Sequence, residues 1–242
     1  MDALIFAAGL GTRLAPLTDD RPKALVEVGG VPLLEHVARR LVAAGATRLV
    51  VNVCPFADRI EAFLRARDGF GVEVRVSREA PAPLETGGGL RQAAPLLRRD
   101  GPILLHNVDV LTDLPLAALL DAHARSGALA TLAVMDRASS RRLLFDDRGL
   151  LGRVDDVKGV RREARPPSGA VVERAFCGVH VVDPSLLDRL TESGVFSILE
   201  PYLRLAGEGA ILRPFSADGC RWIDVGRPAD LARANASPLP PP

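Results

Sequence analysis

The chain has 242 residues, about one and a half average domains, with 48% hydrophobic and 25% charged residues, an ordinary make-up for a globular protein able to bury a sizeable core. Lys and Arg total 31 against 30 Asp and Glu, which excludes the basic footprint of a dedicated nucleic-acid binder. No apolar run approaches the roughly 18 residues of a membrane span, and the apolar stretch 3–8 lacks the flank and length of a signal peptide, so a cytoplasmic protein is expected.

The run Ala3 to Ala8 predicts a strand buried on both faces and ending at Gly9. A loop rich in Gly, Thr, Pro and Asp follows to Pro22. Leu33, Leu34, Val37, Leu41 and Val42 recur at helical spacing up to Gly45, a helix end. Arg48 to Val53 predicts a strand, Ile60, Phe63 and Leu64 a helix, and the alternation Val72, Val74, Val76 another strand. Leu84 to Gly89 reads as a glycine-rich loop that opens a helix through Leu97. Pro102 to His106 predicts a strand running into Asn107-Val108-Asp109. Leu116, Leu119 and Leu120 mark a helix, and Leu129 to Met135 a strand. This alternation predicts an α/β fold: a Rossmann-like, mostly parallel mixed sheet with helices on both faces.

Beyond residue 135 the pattern changes. Residues 136–175 are rich in Arg, Asp, Gly and Pro and read as hairpins and loops. Phe176 to Val182 predicts a strand, Leu186 to Leu190 a short helix, Ile198 to Leu205 a helix, Ile211 to Phe215 a strand and Asp230 to Ala236 a last helix. Ser237 to Pro242 reads as a disordered Pro-rich tail, leaving one domain over 1–236. Cys54, Cys177 and Cys220 suit neither a disulfide framework nor a zinc site. Of the 31 basic residues, only Lys23 and Lys158 are lysines. Where arginine serves the ordinary surface, these two are candidates for a task that needs a compact ammonium. The histidines suggest no Ser-His-Asp order.

The loop Gly9-Leu10-Gly11-Thr12-Arg13-Leu14 follows a buried strand at the carboxyl end of an α/β sheet, where ligands bind. Its glycines let backbone N–H groups approach an anion. Three phosphate-loop readings compete. A dinucleotide fingerprint needs a third glycine where Leu14 stands, and an acidic residue near Asn52. A Walker loop needs Gly-Lys-Ser/Thr, which is absent. The third is a loop that sets Arg13 against phosphates. A plain strand-to-loop turn is the bland alternative.

The stretch Gly9-x-Gly11-Thr12-Arg13-Leu14-x-Pro16-Leu17-Thr18, then Pro22-Lys23, then Pro32-Leu33-Leu34, resembles the signature of the sugar-1-phosphate nucleotidylyltransferases. Glu85-Thr86-Gly87-Gly88-Gly89, Asn107-Val108-Asp109 and Trp222-Ile223-Asp224-Val225-Gly226 keep that family's order. The resemblance covers essentially the whole chain. It implies one nucleotidylyltransferase domain with a nucleotide half over 1–135 and a sugar half over 136–236. The implied reaction is attack by a sugar-phosphate oxygen on the α-phosphorus of a nucleoside triphosphate, with pyrophosphate leaving. Two anions must meet, so catalysis is positioning plus electrostatic stabilisation.

The resemblance also implies residue roles. Ala8, Gly9, Gly11 and Thr12 line the nucleotide. Arg13, a fork donor, suits the β- and γ-phosphates. Lys23, a point charge, suits the α-phosphate and the incoming phosphate. Thr86, Gly87 and Gly88 lie beside base and ribose, at a helix start whose N–H groups point outward. Asp109 and Asp224 are the implied Mg²⁺ ligands, since Mg²⁺ takes few protein ligands. Asn107, Lys158 and Gly178 are the implied sugar-phosphate contacts. The expected partners are the two small-molecule substrates, with no nucleic acid and no membrane, in a monomer or homodimer.

The chain departs from the family pattern at three places. Val108 replaces a usual glycine, and Val does not take positive φ cheaply, so a shifted turn is expected there. Val157 and Gly159 flank Lys158 in place of Glu and Pro. Pro83-Leu84-Glu85 stands where many relatives carry a base-reading Gln. The form Leu-Glu-Thr-Gly-Gly-Gly looks most like the N-acetylmuramate 1-phosphate uridylyltransferases, with the mannose-1-phosphate guanylyltransferase-like group close. A cytidylyltransferase of phosphorylated alcohols is more distant. A non-catalytic binding module predicts loss of a charged position, whereas Arg13, Lys23, Asp109 and Asp224 are all present.

Overall fold

The computed structural model describes residues 1–237 and Leu239. Strand β1 (Asp2–Ala7) is buried along its whole length, as its unbroken apolar run requires. Two short strands, β2 (Glu27–Val28) and β3 (Val31–Pro32), lead into α1 (Leu33–Ala43). Next come β4 (Arg48–Val53), α2 (Ala57–Ala66), β5 (Glu73–Arg78), α3 (Glu85–Ala93) and β6 (Ile103–Asn107). Then follow β7 (Val110–Thr112), α4 (Leu116–Ser126) and β8 (Ala130–Met135). The second half supplies β9 (Arg141–Asp146), β10 (Gly149–Asp155), β11 (Val160–Glu163), β12 (Val172–Val182), α5 (Leu199–Gly207), β13 (Leu212–Ser216), β14 (Trp222–Asp224) and α6 (Pro228–Ala236).

The strands β5-β4-β1-β6 lie side by side and parallel. Asp2 of β1 stands between Arg48 of β4 and Ile103 of β6. Long β12 then runs antiparallel to β6, β8 and β9, and β13 pairs parallel with β8. The core splits across this sheet with the period of a strand. Ala3, Ile5 and Ala7 face a layer with residues of α1, α2 and α4. Leu4 and Phe6 face the layer of α3 and α5. The α/β mixed sheet with helices on both faces is therefore the fold. No helix of the described residues is long and apolar enough to cross a membrane.

Some local expectations change. The stretch 136–175 is not merely loops: β9, β10 and β11 extend the sheet antiparallel. Helix α3 stops at Ala93 and tightens into a 3-10 turn over Ala94–Leu96, where Pro95 cannot continue the α-helical ladder. The short helix expected over Leu186 to Leu190 is a 3-10 helix, Pro184–Arg189, starting two residues earlier. The expected disordered tail lies outside the described residues at Pro238 and 240–242. Ser237 and Leu239 are tied down: Arg221 donates to the Ser237 carbonyl at 2.5 Å, and Leu239 packs on the core.

Two histidines sit inside the sheet. His180 is 1% exposed, and its Nδ1 lies 2.9 Å from the hydroxyl of buried Tyr202. Burial pushes the His180 imidazole down to about 3, and His106 down to about 4. Both are neutral in the fold, whereas the unfolded chain protonates them near pH 6.5. The unfolded state thus binds more protons below that pH, and stability falls as pH drops from about 6.5 toward 4. Each histidine contributes a slope of up to about 1.4 kcal/mol per pH unit. His180→Gln keeps a polar partner for Tyr202 and removes the titration. Urea melts between pH 7 and 5 are expected to show a shallower pH slope in this variant; an unchanged slope would contradict the assignment.

Candidate active site

The site forms at the carboxyl ends of β1 and β6, beside the point where the sheet order reverses. Asn52 of β4 accepts the Ala7 N–H through Oδ1 at 2.7 Å. Its Nδ2 donates to Glu79 at 2.6 Å, and the other Glu79 oxygen accepts the Leu84 N–H at 2.6 Å. Burial pushes the Glu79 carboxyl up against these two hydrogen bonds. This relay ties the end of β1 to the loop before α3. Asn52 is thus a strut, standing where a dinucleotide fold would carry its acidic residue.

Past buried Ala8, the chain is exposed at Gly9, Leu10, Thr12 and Arg13. Gly11 takes φ +68, and a Cβ there would sit 3.0 Å from both Thr18 Cγ2 and Lys23 Cβ. Thr18 Oγ1 donates to the Gly11 carbonyl at 2.9 Å. The loop therefore folds back onto Lys23, which begins a 3-10 turn behind Pro22. Lys23 is 6% exposed, and its Nζ meets Asp109 Oδ2 at 2.5 Å. It is a fixed internal ammonium, not a solvated surface lysine.

Asp109 follows β6. Its carbonyl accepts the Val225 N–H at 2.8 Å, and Asp224 pairs with Val110 where β7 and β14 run antiparallel. This two-stranded ribbon brings together two carboxylates far apart in sequence. Asp224 Oδ1 is buried with no hydrogen-bond partner. Burial, and then the charge of Asp109, push the Asp224 carboxyl up, while Lys23 and Arg13 pull it down. Arg13 reaches this ribbon: a Cβ on Gly226 would lie 2.9 Å from Arg13 Nη2 and 3.1 Å from Asp224 Oδ1. Arg13, Lys23, Asp109 and Asp224 thus converge. An orphaned carboxylate oxygen beside a second carboxylate suits a hard divalent cation, so the donor set fits Mg²⁺. No group of three or more His, Cys, Asp or Glu able to hold a metal occurs among the described residues. A carboxylate pair leaves the remaining positions to water and phosphate, the habit of Mg²⁺.

Beside the carboxylates lies a cavity of about 280 Å³, lined among others by Asn107, Gly178, Trp222 and Arg137. Gly178 takes φ +74 at an irregularity in β12, and a Cβ there would stand 2.8 Å from Asn107 Nδ2. A side chain at 178 would therefore drive Asn107 from its place.

Three expectations need correction. The Gly87 and Gly88 N–H groups do not point outward: both donate to the Phe196 carbonyl, at 2.9 and 3.1 Å. Thr86 Oγ1 likewise accepts the Ile198 N–H at 3.0 Å. These glycines are helical, and are glycines because Cβ atoms there would lie 2.4 Å from the Phe196 ring and 2.5 Å from the Gly194 carbonyl. Lys158 lies on the exposed turn between β10 and β11 and does not line the cavity. Val108 does not distort its turn; it is buried, avoids positive φ, and its N–H donates to the Phe6 carbonyl at 3.1 Å. Sequence reasoning missed Arg137 and Arg153, which line the cavity with buried, unpartnered Nε atoms. Their only signal was the density of arginine beyond residue 135.

Residues 2–149 match the family model described as Nucleotidyl transferase. The chain belongs to the nucleotidyl transferase family. An N-acetylmuramate alpha-1-phosphate uridylyltransferase of Caulobacter vibrioides is 38% identical to this family member over 238 residues, 97% of this chain and 95% of that protein. A mannose-1-phosphate guanyltransferase of Debaryomyces hansenii is 34% identical over 235 residues, 96% of this chain, which spans 62% of that protein. Among solved structures, the inositol-1-phosphate CTP transferase of T. maritima shares the nucleotidyl transferase fold at a TM-score of 0.75 and 20% identity, over 99% of this chain and 97% of that one. HddC of Yersinia pseudotuberculosis does so at 0.76 and 21%, over 97% and 98%.

Asp224→Asn removes a half-buried charge that Lys23 and Arg13 offset only in part. Without divalent cation the variant is expected to melt about 2–4 °C above the native protein, the shift for roughly 1 kcal/mol in a domain of this size. Mg²⁺ is expected to raise the Tm of the native protein and not that of the variant. Calorimetry with and without Mg²⁺ checks both; a lower metal-free Tm would contradict the electrostatic account.

Proposed function

We propose that this chain transfers a nucleoside monophosphate from a nucleoside triphosphate to a sugar 1-phosphate and releases pyrophosphate. The preferred pair is UTP with N-acetylmuramate 1-phosphate. The observation that carries this choice is the end-to-end similarity to the Caulobacter vibrioides uridylyltransferase, 38% over 97% of this chain. GTP with mannose 1-phosphate is the second reading, supported by the Debaryomyces hansenii relative at 34% identity.

The roles follow from charge and position. Backbone groups at Ala8, Gly9, Gly11 and Thr12 border the triphosphate on the exposed loop. Arg13 reaches from that loop to the β- and γ-phosphates of the leaving group. Lys23, oriented by Asp109, meets the α-phosphate and the incoming phosphate. Asp109 and Asp224 hold Mg²⁺, which when bound supplies neutralisation of the phosphate charge. Asn107 and Gly178 border the acceptor. Thr86, Gly87 and Gly88 act on the nucleotide side by fixing α3 against residues 196–198, with base and ribose beside that joint.

The reaction is a direct in-line displacement. Cys177 lines the cavity, but burial pushes its thiol up to about 12, so it is no thiolate nucleophile at neutral pH. All the named groups come from one chain, so a monomer suffices. Three free cysteines suit a reducing compartment, and a cytoplasmic enzyme fits that chemistry.

Pyrophosphate release tests the reading. UTP, GTP, CTP, ATP and dTTP are crossed with N-acetylmuramate, mannose, glucose and N-acetylglucosamine 1-phosphates in Mg²⁺. Release is expected with UTP and N-acetylmuramate 1-phosphate. Lys23→Ala is expected to cut kcat/KM about a hundredfold or more, the scale for loss of a preorganised charge at the reacting group. Release confined to GTP and mannose 1-phosphate would replace the substrates. Silence across the grid, with Mg²⁺-dependent nucleotide binding intact, would favour a binding module.

A further inference from the structure

The cavity beside Asp109 and Asp224 carries four arginines: Arg137, Arg141, Arg142 and Arg153. Three of them have carboxylate partners. Arg141 pairs with Asp155 at 3.3 Å, Arg142 with Asp156 and Glu173 at 2.7 Å each, and Arg153 with Glu200 at 3.0 Å. Arg137 has no carboxylate partner among the described residues. Its Nη2 donates to the Phe176 carbonyl at 3.1 Å, its Nη1 makes a long 3.5 Å contact with the Ala138 carbonyl, and its Nε is buried and unpartnered. Its guanidinium carbon lies 3.9 Å above the Trp222 ring. That ring is itself fixed, because Trp222 Nε1 donates to the Cys177 carbonyl at 2.9 Å.

Trp222 and Asp224 are two residues apart on β14, so their side chains share one face. The guanidinium stacked on Trp222 therefore lines the same cavity as the Asp224 carboxylate, whose charge it feels without forming an ion pair with it. Burial disfavours the Arg137 cation and the more distant Asp224 charge offsets this only in part, so a ligand anion would offset the remaining cost. The acceptor side needs such a cation. Lys23, held by Asp109, serves the junction of α-phosphate and incoming phosphate from outside the cavity, Arg13 belongs to the nucleotide loop, and Lys158 is on an exposed turn away from the cavity, so none of them lines the acceptor side itself.

We propose that Arg137, held by stacking on Trp222, binds the phosphate of the acceptor and aims its oxygen toward the Asp109–Asp224 pair. The inference rests on the reading of the acceptor as a sugar 1-phosphate. Arg137 takes the task that resemblance alone would give Lys158. The planar guanidinium suits a phosphate edge, and the stack removes much of the rotamer freedom that binding would otherwise cost.

Steady-state kinetics of the full chain test it, with the acceptor varied at saturating UTP and UTP varied at saturating acceptor. Arg137→Ala is expected to raise the acceptor KM by roughly ten- to a hundredfold, the span of a charge-assisted hydrogen bond. The UTP KM is expected to stay within about twofold, and Lys158→Ala to change neither by more than that. Arg137→Lys keeps the charge, guards against misfolding in the alanine variant, and is expected to recover part of the loss. Because the phosphate is common to all acceptors, the penalty should be the same fold for N-acetylmuramate 1-phosphate and for any neutral sugar 1-phosphate that turns over. An unchanged acceptor KM in folded Arg137→Ala would overturn the inference and leave the proposed reaction standing. So would a loss carried by Lys158→Ala, or a penalty confined to the carboxylate-bearing acceptor. A native enzyme silent on every sugar 1-phosphate would overturn the proposed reaction, and this inference with it.

Discussion

The site depends on holding two carboxylates close together where neither is well solvated. Asp109 and Asp224 repel, and burial raises the carboxyl of the second. They stay together because the β7–β14 ribbon fixes their backbones, with the Val225 N–H bonded to the Asp109 carbonyl. Lys23 offsets one charge directly, and Arg13 lies within reach of the other. Asp224 Oδ1 is buried and has no hydrogen-bond partner. Such an arrangement is a poor contribution to stability and a good receptor for a divalent cation. Burial, the ribbon and the two cations are best understood as parts of one electrostatic device.

The glycines near the site act through what they exclude. At 87 and 88, a side chain would strike the segment 194–196. At 89, a Cβ would lie 2.5 Å from Asn52 Nδ2 and 2.6 Å from Glu79 Oε1, breaking the relay that ties β1 to α3. At 178, it would displace Asn107. The first group joins α3 to the second half of the chain, and the last lines the cavity beside Asp109 and Asp224. Close packing therefore links the two halves at points where a single methyl group is too large.

What could be read from the sequence divides by range. The long strands and helices through residue 135 follow from apolar periodicity, and the Gly9–Leu14 loop from its place after a buried strand, whereas the short strands β2, β3 and β7 carry too few residues to show a period. The pairing of Asp109 with Asp224 rests on a ribbon between distant segments, so only resemblance pointed to it. The expected outward N–H groups at Gly87 and Gly88 failed because Phe196, over a hundred residues later, supplies their acceptor. Lys158 has the right residue type, but a hairpin turn carries it away from the cavity. Arg137 was hidden for another reason. In a chain with so many arginines, what distinguishes one is the lack of a carboxylate beside it, and that is a property of the folded neighbourhood.

The proposed chemistry needs a divalent cation shared by Asp109, at the end of β6, and Asp224 on the β7–β14 ribbon. Anomalous diffraction from crystals grown with Mn²⁺ and a non-hydrolysable UTP analogue would locate the metal directly. The expected result is a peak within coordination distance, about 2.0–2.3 Å, of both Asp109 and Asp224, with phosphate oxygens completing the shell. A metal bound only to the triphosphate, or bound away from Asp224, would contradict the account.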